Sequence, residues 1–207
     1  NASNITFQLE PIQSDGTVGT AVNSSVLTVT DSPPGVYPCD IGNENTTCII
    51  NSNKALNGTL SILNLTINAT INSNNLSLSI NASGIVIIQG VITTGRTPTS
   101  ISAAHSANLS INASEIRMVG GQLIAVGGGN NANGGTSGNG SIIFLLAGNI
   151  SIDDASIVNA SGPRGASGGS DANGGSGGII IINASNKVNI SGLIFATGEA
   201  SGTFDPN

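Results

Sequence analysis

Short blocks in which apolar residues alternate with Asn, Ser and Thr, and which return at a near-fixed interval, constrain this chain more than any other feature. In NLTINATIN a period of two places Asn64, Thr66, Asn68 and Thr70 on one face and Leu65, Ile67, Ala69 and Ile71 on the other. Three stretches align without gaps over sixteen positions: 112–127 (NASEIRMVGGQLIAVG), 147–162 (AGNISIDDASIVNASG) and 183–198 (NASNKVNISGLIFATG). Each ends in Ala-x-Gly, at Ala125, Ala160 and Ala196, and each follows an apolar strand ending in Ile111, Leu146 or Ile182. The alanines lie 35 and 36 residues apart, an interval that marks solenoids. A looser copy, LSLSINASGIVIIQGVITTG, covers 76–95.

No stretch has a helical period, and the poor helix formers Gly, Asn, Ser and Thr fill the gaps, so the chain reads as all-β. Of its 29 glycines, five precede residue 84 and the other 24 follow from Gly84 onward, which separates an N-terminal segment from a repeating body. Without the glycine-rich inserts at 127–140 and 162–178, each repeat has roughly twenty residues, enough for one coil of a parallel β-helix. Stacked coils align like residues in columns, where β-branched side chains pack well, and aromatics are only 2% of the chain.

GGIIIINASNKVNISGLIFATG and NGSIIFLLAGNISIDDASIVNASG carry a resemblance to the glycine-rich right-handed β-helix repeat proteins of cell surfaces, over about the C-terminal 60% of the chain. The resemblance implies a single-stranded right-handed parallel β-helix and a surface location, and no activity. The alternative fold is a pilin-like β-sandwich with the repeats as hairpins. Unequal loop lengths and the lack of tight Asn-Gly turns between short strands count against it.

The organisation expected is an N-terminal strand segment at 1–38, a disulfide loop at 39–53 and a β-helix body at 54–207. Cys39 and Cys48 sit in a polar, proline-bearing stretch, PPGVYPCDIGNENTTC, that suits a local disulfide in an oxidising compartment. A metal site would need further Cys or His ligands, and the chain has one His, so neither metal nor cofactor is expected. A net charge of -6, from 11 acids and 5 bases, leaves no basic footprint for nucleic acid. No run is long enough to cross a bilayer, and the first residue is Asn, which reads as a processed chain.

The tripeptide Asn-x-Ser/Thr, the acceptor for N-linked glycan, occurs sixteen times: at Asn1, Asn4, Asn23, Asn45, Asn57, Asn64, Asn68, Asn75, Asn81, Asn108, Asn112, Asn139, Asn149, Asn159, Asn183 and Asn189. Strand alternation alone would produce the reversed tripeptide as often, yet Ser/Thr-x-Asn occurs seven times. The bias points to heavy N-glycosylation and an extracellular protein, from an archaeon or a eukaryote rather than a bacterium. Sugars would then take the solubilising role of charges, which are only 8% of residues.

Residues 1–38 lack the repeat. NITFQLEP alternates Ile5, Phe7 and Leu9 on one side, and this strand either flanks its own body or pairs with a neighbouring subunit by strand addition. Open solenoid ends invite such association, and head-to-tail contact that does not close makes a filament. Donor-strand-linked archaeal and bacterial pilins resemble this arrangement. The function expected is therefore a structural, non-enzymatic subunit of an extracellular filament or coat whose partner is itself. A monomeric adhesin or glycan-binding module using the glycine-rich loops is the rival. A polysaccharide-cleaving enzyme ranks last, because the acids are scattered and Asp153 and Asp154 read as a coil corner unless they lie on a strand, which would turn Asp154 inward. His105 reads as a surface residue. Lys54 and Lys187 are the only lysines, and an isopeptide bond would need one of them buried beside a carboxylate and an acidic helper.

Overall fold

The computed structural model describes residues 38–95, 105–128, 137–163 and 174–198, and the backbone of four short strands nearer the N terminus. The chain forms two compact units, Asn1–Tyr37 and Pro38–Asn207. The described elements are all strands, and no helix occurs among the described residues. In the first unit β1 (Ser3–Ile5) pairs antiparallel with β4 (Leu27–Val29), and β2 (Gln8–Leu9) with β3 (Val22–Asn23).

The second unit opens on β5 (Thr47–Ile50) and β6 (Lys54–Ala55). The next two rounds are β7 (Gly58–Ile62), β8 (Asn64–Ile67), β9 (Thr70–Asn72), then β10 (Leu78–Ala82), β11 (Ile85–Ile88), β12 (Val91–Thr93). In the last three rounds one long strand does the work of two: β13 (Leu109–Met118) with β14 (Gln122–Ile124), β15 (Ile142–Ile152) with β16 (Ile157–Asn159), and β17 (Ile179–Ile190) with β18 (Leu193–Phe195). All these strands pair in parallel. One sheet runs β17-β15-β13-β11-β8-β5, with β10 and β7 continuing from β13, and the other runs β18-β16-β14-β12-β9-β6. Each round thus lays its strands against those of the round before, in both sheets, an order compatible with a solenoid.

Alternation explains the packing. Leu78, Leu109 and Ile143 stand in one column, Ile67, Ile88, Met118 and Ile152 in another, and Ile71, Ile92, Leu123 and Val158 in a third. All are buried, and the apolar residues of both sheets form one core. The alanines of Ala-x-Gly end the six-stranded sheet, where Ala125 and Ala160 are fully buried. Ser73 and Thr94 hold the same place in earlier rounds, each continuing the backbone ladder to the next round, from Ser73 N–H to Thr93 O and from Thr94 N–H to Ile124 O.

Two sequence expectations change here. The gapless alignment set Asn112 against Ala147, whereas the strands pair Ala113 with Ala147, and Asn112 with Leu146. The fifth round, β15–β16, regains the shift with an extra residue between its two strands, so the Ala-x-Gly ends still coincide. The stretch 39–53, read as a disulfide loop, contains β5, which pairs with β8 as the first strand of the parallel body.

Candidate functional site

Of the sixteen sequon asparagines, thirteen have described side chains and none of these is buried. Asn45, Asn57, Asn68, Asn81, Asn108, Asn112, Asn183 and Asn189 are exposed, and Asn64, Asn75, Asn139, Asn149 and Asn159 are half-buried. Asn4 and Asn23 lie on β1 and β3, and Asn1 lies outside the described residues. The placement follows from alternation: Asn81 and Asn112 are cross-strand partners on the outward face, with Asn183 beyond Leu146 in the same column.

Where these amides bond to the protein, the oxygen is usually the engaged atom. Oδ1 of Asn64 accepts the Ile85 N–H at 2.9 Å, that of Asn139 the Ser176 N–H at 2.9 Å, and that of Asn159 the Ser161 N–H at 2.9 Å. Asn149 Oδ1 accepts from Asn186 Nδ2 at 2.8 Å. The nitrogen that a glycan would substitute is not the atom these bonds use. Asn68 Nδ2 donates to Asn51 Oδ1 at 2.7 Å, and a glycosylated amide keeps one N–H for such a bond. Asn75 sits at φ 62°, a left-handed turn conformation that Asn tolerates better than most residues.

Cys39 and Cys48 form a disulfide, as the sequence predicts. It holds the segment before β5 against that strand, where Ile41 and Ile49 form an antiparallel bridge. Asp40 gathers the polar groups nearby. It pairs with Lys54 Nζ at 2.6 Å and accepts the backbone N–H groups of Asn51 and Ser52, both at 2.7 Å, and the Ser52 hydroxyl. The Lys54 ammonium first, and then the Ser52 hydroxyl, hold the Asp40 carboxyl well below the usual carboxylate range. Lys187 is exposed.

Asp153 and Asp154 lie at a turn rather than on a strand, and Asp154 is exposed. Asp153 accepts the Gly120 N–H of the preceding round at 3.0 Å and the Ser156 hydroxyl within the turn. The Ser156 hydroxyl, followed by the Gly120 N–H, lowers its pKa. Its oxygens therefore brace a corner between rounds. No group of three or more His, Cys, Asp or Glu residues able to hold a metal occurs among the described residues.

The two glycine-rich inserts, between Ile124 and Ile142 and between Asn159 and Ile179, come after a strand of the six-stranded sheet and before one of the eight-stranded sheet, as does the earlier connection between Thr93 and Leu109. Their bases are tied from round to round. His105 Nδ1 accepts the Asn139 N–H at 3.1 Å, and Asn139 Oδ1 accepts the Ser176 N–H. This ladder of His105, Asn139 and Ser176 escaped the sequence reading, because its members stand 34 and 37 residues apart with inserts of unequal length between them.

Ile5 lies on β1 opposite Leu27, and Leu9 on β2 opposite Val22, while Phe7 lies outside the described residues. Both residues are thus paired along one strand edge inside their own unit. No family model, no curated protein and no solved structure matches the chain.

Proposed function

We propose that this chain is the structural subunit of an extracellular, heavily N-glycosylated filament or surface coat, built on a single-stranded right-handed parallel β-helix and assembled head-to-tail by β-strand addition. The observation that carries the reading is the position of the sequons: not one of the thirteen described asparagines is buried, in a chain with almost no charge to solubilise it. Closure of the rounds is supported by the single core shared between the two sheets, and right-handedness by the sense that parallel crossovers adopt. The disulfide supports an oxidising compartment, and no helix of the described residues is long and apolar enough to cross a membrane.

In assembly, the strand bearing Ile5, Phe7 and Leu9 supplies backbone hydrogen bonds and apolar side chains to a neighbouring copy, and outward glycans keep the lateral surface in water. Electron microscopy of the native material, without deglycosylation, tests this. Uniform filaments with a subunit-length axial repeat are expected, and deletion of residues 1–10 leaves a folded monomer. Isolated particles alone, or polymers that survive the deletion, sink the assembly reading. The common exit of the inserts favours a second reading, an adhesin that binds carbohydrate at that corner, which predicts a monomer with a defined glycan ligand.

A further inference from the structure

The two ends of the second unit are unlike. At its start the eight-stranded sheet ends on Cys48 and Ile50, which are fully buried, and the six-stranded sheet ends on a polar group. Lys54 stands in line with Ile71 at the edge of the six-stranded sheet and pairs there with Asp40, while the disulfide and the Ile41–Ile49 bridge cover β5. Terminal repeats of solenoids need such a polar outer face.

At its other end the columns stop bare. Ile150, Ile152 and Val158 pair in register with Val188, Ile190 and Ile194. The first three are at most 1% exposed, and their counterparts in the last round are 46%, 40% and 38% exposed. Two outward columns change in the same direction, while those ending on Lys187 and Asn189 become polar. One outward column reads Thr59, Ser79, Ser110 and then Phe144 and Ile181; another reads Asn72, Thr93, Ile124, Asn159 and then Phe195. Apolar residues on both the inward and the outward side of one coil are the mark of a surface that becomes covered.

We infer that β17 and β18 are the acceptor for the N-terminal unit of a second copy, an inference that rests on the proposed head-to-tail assembly. Three observations select this occupant. At the start of the body the apolar columns end on Cys48 and Ile50, which are already buried, so that end offers no bare column to continue those of the last round. No described strand pairs beyond β17 or β18, so their outer edges are the ends of both sheets. The N-terminal unit contains, among its described residues, only two-stranded antiparallel pairings, fewer strands than an independently stable sheet needs. Ile5 on β1 and Leu9 on β2, with Phe7 between them in sequence, keep the i, i+2 spacing of Ile180 and Ile182 in β17, the spacing that an added strand needs to continue those columns.

The test uses two full-chain variants and their mixture, sized by light scattering and electron microscopy. Val188→Asp with Ile190→Asp disables the acceptor and keeps the N-terminal unit; deletion of residues 1–10 does the reverse. Each alone is expected to be a folded monomer by circular dichroism, and the mixture to form 1:1 dimers that grow no further. Leu193→Lys with Phe195→Lys, confined to outward positions, replaces the first variant if it fails to fold. Polymers that persist in the acceptor variants overturn this inference and leave strand addition standing. Polymers or two-fold dimers of the deletion variant, or a mixture that stays monomeric, overturn the pairing of these two ends. A wild-type chain that is monomeric at all concentrations overturns both readings.

Discussion

Charged residues are few, and among the described ones Asp40 has the clearest place. Its carboxyl is held below the ordinary range by Lys54 and Ser52, so its ionised form is favoured by the fold. The stability it contributes is present above the unfolded carboxylate pKa of about 3.9 and is lost as the pH falls through the folded value. Asp40→Asn is therefore expected to lower the urea midpoint at pH 7, and the gap from wild type is expected to narrow progressively below about pH 4. A gap unchanged between pH 7 and pH 2 would show that the carboxylate is not linked to folding. Sequence reading located the disulfide and the sequons because both are local: a tripeptide, or two cysteines nine residues apart. It could not join Asp40 to Lys54 across 14 residues, or Asp153 to Gly120 across 33, because those pairs exist only once the rounds are in register.

At the level of elements, register is enforced at the corners as well as by the columns. Gly121, between the two sheets, shows how. A Cβ there would lie 2.3 Å from the Ile88 carbonyl oxygen of the round before and 2.8 Å from its carbonyl carbon, and a backbone group held in the sheet has little room to yield. Gly121→Ala is expected to destabilise the body by about 1–3 kcal/mol, read as a lower urea midpoint with an unchanged slope. A neutral result would mean that the corner can widen without disturbing β13 or β14. The alternation and the all-β class were legible because a period of two survives in almost every strand. The exact register was not, since a one-residue slip turns a strand inside out and only the corner lengths decide it. No repeat was aligned before residue 76, although the body was expected from residue 54, because Ser73 occupies the small-residue position that alanine marks later and no glycine insert follows it.

In the second unit, taken round by round, the edge of the six-stranded sheet begins on Lys54 beside Asp40 and ends on the exposed Ile194, so the order of rounds is an axis with unlike ends, and its described outer surface carries more amides and hydroxyls than charges. Sequence showed the composition of that surface but not the polarity of the axis, which depends on Lys54 falling in line with Ile71 and on Ile194 having no strand beyond it. With 8% charged residues and a pI near 4.3, the bare polypeptide loses its net charge, and with it much of its mutual repulsion, in mildly acid solution. Glycans carried as proposed on these asparagines, none of which is buried among the described ones, would stand outside the core columns, so their removal would leave folding intact and expose this weakness alone. The variant lacking residues 1–10 separates the effect from polymerisation. After enzymatic deglycosylation it is expected to keep its β-sheet circular dichroism and to turn turbid near pH 4.3, where the glycosylated protein stays clear. Loss of the β signal before turbidity would make the sugars part of folding, and equal clarity of the two forms would show that the amide and hydroxyl surface is sufficient by itself.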